Sequence, residues 1–178
     1  MRRSYVQERW RTLAKVAREN ADRLVQEMHR QFIDGGYEGL TDYSNVRFDS
    51  INNTALDALE MWGGEPHFDW WDAPDALKRD PKCLDVSLWF GSQLCGLCYA
   101  SASEGKTLVR IKLLEGNPAT DHPLKGQVTT LMLLAVNQFA KLVDAKVIVI
   151  DEPWEGAIPH YKYLGFDFNG DQLEMAVN

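Results

Sequence analysis

Several features are scarce in this sequence of 178 residues, and each scarcity narrows the class of protein. There are three cysteines, an odd number, which argues against a disulfide framework and favours a reducing compartment. The longest apolar run, "LMLLAV", is far too short to cross a bilayer. With 19 Lys and Arg against 26 Asp and Glu, a broad nucleic-acid-binding surface is not expected. We therefore predict a cytoplasmic protein with no nucleic-acid or membrane partner, and the net charge of -7 favours a basic or amine-bearing substrate.

Motifs for several common chemistries are also missing. The sequence contains no nucleotide loop ending in Gly-Lys-Ser/Thr and no Ser-His-Asp spacing. Cys95 and Cys98 form "CGLC", but no second cysteine pair exists to complete a zinc site. In a strand, these two side chains would point to opposite faces. We predict that both are core residues and that the protein has no metal site.

The N-terminal part is predicted to be mainly helical. Apolar residues recur at helical spacing from Ser4 to Phe32, which predicts one long amphipathic helix with a capping box of Ser4 and Gln7. A break near Asn20, giving two helices, is the alternative. A short strand at 45–48 and a short helix capped by Asn53 and Thr54 follow, and then a long loop over residues 65–81.

After residue 82 the hydrophobic period changes from that of a helix to that of a strand. The pattern predicts three antiparallel strands, a helix, a buried strand, a short helix or turn interrupted by Pro159, and a last strand. In chain order, these elements are residues 83–90, 94–102, 107–114, 128–143, 146–150, 153–166 and 171–177.

This order of elements, together with "AIPHYKYLGF", resembles the GCN5-related N-acetyltransferase (GNAT) family, whose pattern near the C-terminus is A-x-x-Y-x-x-x-G-F. The resemblance covers roughly residues 83–177. It implies an α/β (α+β) fold with a mixed, mostly antiparallel sheet, a parallel strand pair at the cofactor crevice, and flanking helices. We expect one domain over 1–178, with a helical and loop region at 1–82 and an acetyl-CoA-binding-like core at 83–178.

The resemblance also implies a function, N-acetyl transfer from acetyl-CoA as co-substrate to an amine. In the family, the Tyr of this motif often protonates the departing thiolate, and the motif places it at Tyr161. Two parallel strands splay apart in the family and hold the thioester, so Leu113, Leu114 and Glu115 are expected to supply the strand edge. Glu115 would lie near the reacting carbonyl, where it is a candidate general base.

The family's phosphate loop usually reads Gln/Arg-x-x-Gly-x-Gly/Ala, whereas here only Gly126 of "HPLKGQVTT" is a glycine. An anion site requires free backbone N–H groups at a helix start, and glycine only eases the approach. An ordinary turn capping a buried helix is the alternative. The residues expected to bind the cofactor here are Lys125, Gly126, Gln127, Val128, Thr129 and Thr130.

Four residues are candidates for binding the acceptor. Asp151 and Glu152 end the second parallel strand, and Trp70 and Trp71 stand between acids in the long loop, where they could receive a cation. The alternative for the tryptophans is to anchor the N-terminal helix to the sheet. The expected partners are acetyl-CoA, an amine-bearing small molecule or protein, and a second copy of the chain. The competing function is a catalytically inactive, acetyltransferase-like binding protein.

Overall fold

The computed structural model describes residues 2–36, 41–72, 75 and 79–178. Parts of the predicted long loop, residues 73–74 and 76–78, lie outside the described residues. The helices are α1 (Arg2–Asp34), α2 (Asn53–Leu59), α3 (Val128–Leu142) and α4 (Ile158–Tyr163). The strands are β1 (Val46–Asp49), β2 (Cys83–Phe90), β3 (Gln93–Ala102), β4 (Leu108–Gly116), β5 (Val147–Ile150), β6 (Asp167–Asn169) and β7 (Gln172–Ala176).

The described strands form one seven-stranded sheet in the order β1-β2-β3-β4-β5-β7-β6. All neighbouring strands are antiparallel except β4 and β5, which are parallel. The predicted mixed sheet with one parallel pair is therefore confirmed. Because β1 pairs with β2, the N-terminal region contributes a strand to the same sheet.

Helix α1 is continuous, so the alternative break near Asn20 does not occur. It already includes Arg2, and for this reason the predicted capping box that starts at Ser4 is wrong. A buried stripe of small residues lets α1 pack closely against α3 on one face of the sheet: Ala14, Ala17, Ala21 and Val25. The cap of α2 was predicted one residue too late, since Asn52 Oδ1 accepts from the Ala55 amide at 3.0 Å.

Two apolar cores cover the two faces of the sheet. The larger lies under α1 and α3, and the smaller lies under α2 and the loop that follows it. Trp70 is fully buried in the smaller core, with Leu59 and Trp62 of the α2 region. The alternative that it anchors α1 is therefore wrong, since α1 packs on the opposite face.

Two β-bulges change the faces that side chains occupy. In β3, Leu88 of the partner strand pairs with Gly96, whereas Trp89 pairs with Leu94, so Cys95 is an extra residue. Cys95 and Cys98 consequently contact the same core, under α1 and α3, and the prediction that they face opposite sides is wrong. In β4 the extra residue is Lys112.

The C-terminal segment differs from its prediction in two details. Pro159 lies in the first turn of α4 and does not interrupt it, because an amide in the first turn of a helix has no partner within the helix that proline would remove. The single predicted last strand is the second half of a hairpin, β6–β7, which turns at Gly170 with a φ of +64°. A strand of three residues carries too little pattern to be predicted.

Candidate functional site

The parallel strands β4 and β5 part from each other at their carboxyl ends. Their pairing runs from Leu108–Val147 to Ile111–Ile150 and stops there, while β4 continues to Gly116 paired with β3. Beyond Ile111, the second edge of β4 pairs with no described strand and faces a cleft of about 340 Å³. Leu114 lines this cleft, and Leu113 packs against the smaller core. The tertiary structure thus supplies the parted strand pair that the resemblance implies.

The segment "HPLKGQVTT", residues 122–130, leads into the start of α3. Gly126 has a φ of +79°, a conformation that glycine adopts without strain and that allows the chain to turn sharply. The Lys125 amide donates to the His122 carbonyl at 3.2 Å, and the Gln127 amide donates to the Leu124 carbonyl at 2.9 Å. The amides without an acceptor among the described residues are those of Gly126, Val128, Thr129 and Thr130. Free N–H groups at the positive end of a helix dipole are an arrangement that can accept an anion.

Two loop side chains are turned away from this site. Gln127 accepts a hydrogen bond from the Tyr43 hydroxyl and donates to Thr41 Oγ1 at 2.9 Å. Its backbone amide is also bonded, so the described contacts of Gln127 leave one side-chain N–H group without an acceptor among the described residues. His122 is buried, and its Nδ1 accepts from the Leu124 amide at 3.3 Å. Burial, and secondly the nearby Lys125, lower the pKa of His122, so it is held neutral.

Tyr161, on α4, lines the cleft from the side of the larger core. Its ring packs edge-on against Phe166, with 5.8 Å between centroids. Its hydroxyl forms no hydrogen bond with the described residues. Burial raises the pKa of Tyr161 because the phenolate would be poorly solvated there, and the buried Cys98 thiol adds to the effect. The phenol therefore keeps its proton at neutral pH.

Glu115, near the end of β4, is held by three N–H donors from the loop after α2. Oε2 accepts from the His67 amide at 2.6 Å. Oε1 accepts from the Phe68 amide at 3.1 Å and from the indole Nε1 of Trp70 at 2.8 Å. Both oxygens of the candidate base are therefore already engaged.

The opposite wall of the cleft follows β5. Asp151 and Glu152 both line the cleft and are both exposed, and Asp151 forms an ion pair with Arg110. Glu152 has a φ of +44°, which is uncommon for a residue with a side chain and recurs at functional sites. Trp154 is 63% exposed, and its ring meets that of His67 edge-on with 4.2 Å between centroids. The two walls thus touch across the mouth.

The tryptophans of the long loop have different environments. Trp70 is fully buried and does not line the cleft, while Trp71 is 46% exposed. Sequence reasoning missed His67 and Phe68 as residues that line the cleft, because their contact with Glu115 joins positions that are nearly fifty residues apart in the chain. The aromatic density of "HFDWW" was the only available signal.

No described cluster of three or more His, Cys, Asp or Glu side chains has an arrangement that could hold a metal ion. Among the described helices, none is long and apolar enough to span a membrane.

Comparison with solved structures identifies the fold. Three similar ones are the ribosomal-protein-S18-alanine N-acetyltransferase of Escherichia coli, a GNAT-family acetyltransferase of Staphylococcus aureus Mu50, and an aminoglycoside 6'-N-acetyltransferase complexed with coenzyme A. Their TM-scores are 0.56, 0.56 and 0.54, and their identities 12%, 8% and 13%. The alignments cover 75%, 75% and 74% of this chain and 94%, 99% and 97% of theirs. No family model and no curated protein matches the sequence.

The chain therefore has the fold of the GCN5-related N-acetyltransferases, as its element order and C-terminal motif suggested. Its structural neighbours are N-acetyltransferases. At these identities the likeness concerns the fold alone.

Proposed function

We propose that this chain is an acyl-CoA-dependent N-acetyltransferase that moves an acetyl group from acetyl-CoA to an amine. One observation carries the proposal: β4 has an edge that no described strand covers beyond Ile111, beside a helix start where four amides have no acceptor among the described residues. A protonated phenol lies in the same cleft. The neighbouring aminoglycoside acetyltransferase, solved with coenzyme A, supports the assignment.

The described residues fit an extended anionic co-substrate. The amides of the α3 start would hold a pyrophosphate, and the exposed Lys125 adds a positive charge. Leu113 and Leu114 lie on the part of β4 that β5 leaves uncovered, where backbone groups would face an amide-bearing chain. Bound acetyl-CoA would supply the acetyl group, activated as a thioester.

Tyr161 would act as general acid in this cleft. Because burial keeps its Oη protonated, it can donate a proton to a leaving thiolate. The role of Glu115 as general base stays a prediction. Its oxygens already accept three N–H bonds, and for this reason we do not assign proton removal to it.

The acceptor side favours an amine that carries positive charge. Glu152 is exposed at the mouth, Asp151 lies beside it, and the protein as a whole is acidic. Trp154 presents an exposed ring next to them, which suits a cation–π contact. Trp71 is exposed and remains a candidate for acceptor binding, whereas Trp70 is too deeply buried to touch a substrate.

Thermal melting with acetyl-CoA tests the proposal. At a hundredfold excess over Kd, a ligand stabilises by about 2.7 kcal/mol, which for a domain of this size raises Tm by roughly 5–10 °C. Thr129→Glu should abolish this shift, since it places a carboxylate at the anion site, yet it should leave the free protein stable because a helix start favours negative charge. Thr54→Glu makes the same change in the first turn of α2 and should leave the shift intact.

A turnover assay separates the enzyme from a binding protein. Coenzyme A thiol release would be followed with an aminoglycoside and with a peptide bearing a free N-terminal amine. Tyr161→Phe should lower kcat at least tenfold while preserving the melting shift. The single remaining glycine of the loop and the engaged Glu115 favour the second candidate, an inactive binding protein. A melting shift with acetyl-CoA, but no release of its thiol in the presence of either amine, would support the binding protein.

A further inference from the structure

We propose that Glu115 is a positioning residue that latches the loop of residues 65–72 to the end of β4 and thereby sets the acceptor-side wall of the cleft. The inference rests on the proposed function for its kinetic consequence only, because the latch itself is a property of the fold. It assigns Glu115 a role different from that of a base.

Few hydrogen bonds within the loop of residues 65–72 hold it in place. It contains no helix or strand, and its internal backbone bond joins the Trp70 amide to the Phe68 carbonyl at 3.1 Å. Three N–H groups of the loop converge instead on the Glu115 carboxylate, at 2.6, 3.1 and 2.8 Å. Hydrogen bonds to an ionised acceptor are about twice as strong as neutral ones. Trp70 adds a second anchor, since its buried ring fixes the loop against the sheet.

The latch has a direct consequence for the mouth of the cleft. The His67 amide is bonded to Glu115, and the His67 ring contacts Trp154, which follows β5 on the opposite wall. Phe68, bonded next to it, lines the cleft and packs edge-on against Trp70 at 6.1 Å. The Glu115 carboxylate therefore determines how far apart the two walls stand. An acceptor amine in the cleft would lie beside His67 and Trp154.

Glu115→Gln tests the latch most sharply. A glutamine keeps one accepting oxygen, but its NH2 group cannot accept, and at least one of the three donors loses its partner. The neutral amide also removes the charge that strengthens the remaining bonds. Two control variants remove one negative charge each without touching the latch: Asp167→Asn on β6, away from the cleft, and Asp69→Asn in the same loop, both at exposed positions.

The decisive readout is the set of indole N–H signals of protein labelled with nitrogen-15 tryptophan. Trp70→Phe identifies the Trp70 signal by its loss. In Glu115→Gln this signal should shift and exchange with solvent at least tenfold faster, and the Trp154 signal should move toward its position in His67→Ala. The two control variants should change neither signal. Trp70 and Trp154 signals that stay unchanged in Glu115→Gln would overturn the proposal.

The kinetic readout distinguishes a latch from a base. With an amine that the wild-type protein accepts, Glu115→Gln should raise the acceptor KM about tenfold while kcat changes less than threefold. A collapse of kcat at unchanged KM, with the indole signals in place, would establish a base and refute the latch. Failure of acetyl-CoA to shift the wild-type melting point would count against the proposed function, while the indole signals would still decide the latch.

Should Glu115→Gln not fold, Trp70→Phe removes one of the three bonds without altering the carboxylate. The Trp154 signal should then move in the same direction as in His67→Ala, by a smaller amount. A Trp154 signal that does not move in this variant would contradict the latch.

Discussion

Replacing Gly96 by alanine should destabilise the protein, because β3 passes the first turn of α3 too closely for a side chain. A Cβ at this position would lie 2.5 Å from Val128 Cγ1 and 3.3 Å from Met132 Cε. The methionine end can move, but Val128 is buried and β-branched, so its side chain has few rotamers to escape into. Relief then requires that the start of α3 shifts away from the sheet.

The cost follows from the usual penalty for overfilling a packed core, about 1–3 kcal/mol. For a domain of this size, each kcal/mol lowers Tm by about 2–4 °C, so Gly96→Ala should melt roughly 2–12 °C lower. Thermal melting by circular dichroism measures this. Gly64→Ala is the matched control, since no atom of the described residues lies within 4 Å of a Cβ there and its effect should be within about 0.5 kcal/mol.

A double variant identifies the clash. Val128→Ala removes the Cγ1 atom, so Gly96→Ala should cost at least about 1 kcal/mol less in that background than in the wild type. If Gly96→Ala melts together with the wild type, or if its cost is the same with and without Val128→Ala, the inferred close approach of β3 and α3 is wrong.

Three further predictions concern groups away from the cleft or beside it. Asp85→Ala should destabilise the protein by about 2–4 kcal/mol in urea unfolding, because the Asp85 carboxylate accepts from Arg18 at 3.1 Å and from the Ile51 amide at 2.8 Å. The mostly buried Arg18 guanidinium would lose its ionic partner and keep only its bond to the carbonyl of residue 85, and an unchanged urea midpoint would contradict this prediction. Because the pKa of His122 is lowered in the folded protein, its contribution to stability is present above pH 6.5 and is lost as the pH falls below that value. Between pH 8 and pH 5, the melting temperature should therefore fall more steeply in the wild type than in His122→Gln. Equal slopes would refute this prediction. Burial raises the pKa of the thiols of Cys83 (about 12), Cys95 (about 11) and Cys98 (about 12). The three thiols should therefore react slowly with iodoacetamide in the native protein at pH 8 and react fully in urea. Rapid labelling of the native protein would contradict their burial.

Local sequence patterns predict many of the helices and strands of this fold. The helix at 128–142 repeats apolar residues at helical spacing, and the strand at 146–150 is a short β-branched run, so both were predicted within a residue or so of their bounds. The meander was equally predictable, since Gly91 and Gly105 separate its strands. These features follow from side-chain periodicity and turn chemistry, which act over a few residues.

Other predictions failed or were incomplete where geometry depends on distant partners. The bulge at Cys95 places Cys95 and Cys98 on the same face of the sheet, although strand alternation predicted that they lie on opposite faces. It arises from how β3 is paired with β2 and packed under α3, and no local residue pattern encodes it. The burial of Trp70 on the α2 face could not be read from its sequence neighbours for the same reason.

The candidate site also contains features that are local in the sequence and features that depend on distant residues. Local sequence is enough to locate the glycine turn before a helix start and the tyrosine after the second parallel strand, because both depend on neighbouring residues in the chain. The contact of Gln127 with Thr41, and the three N–H groups that Glu115 accepts from residues 67–70, exist only in the folded chain. A carboxylate has no preferred partner until folding brings donors within about 3 Å of it, and in this chain those donors lie 45 to 48 residues away.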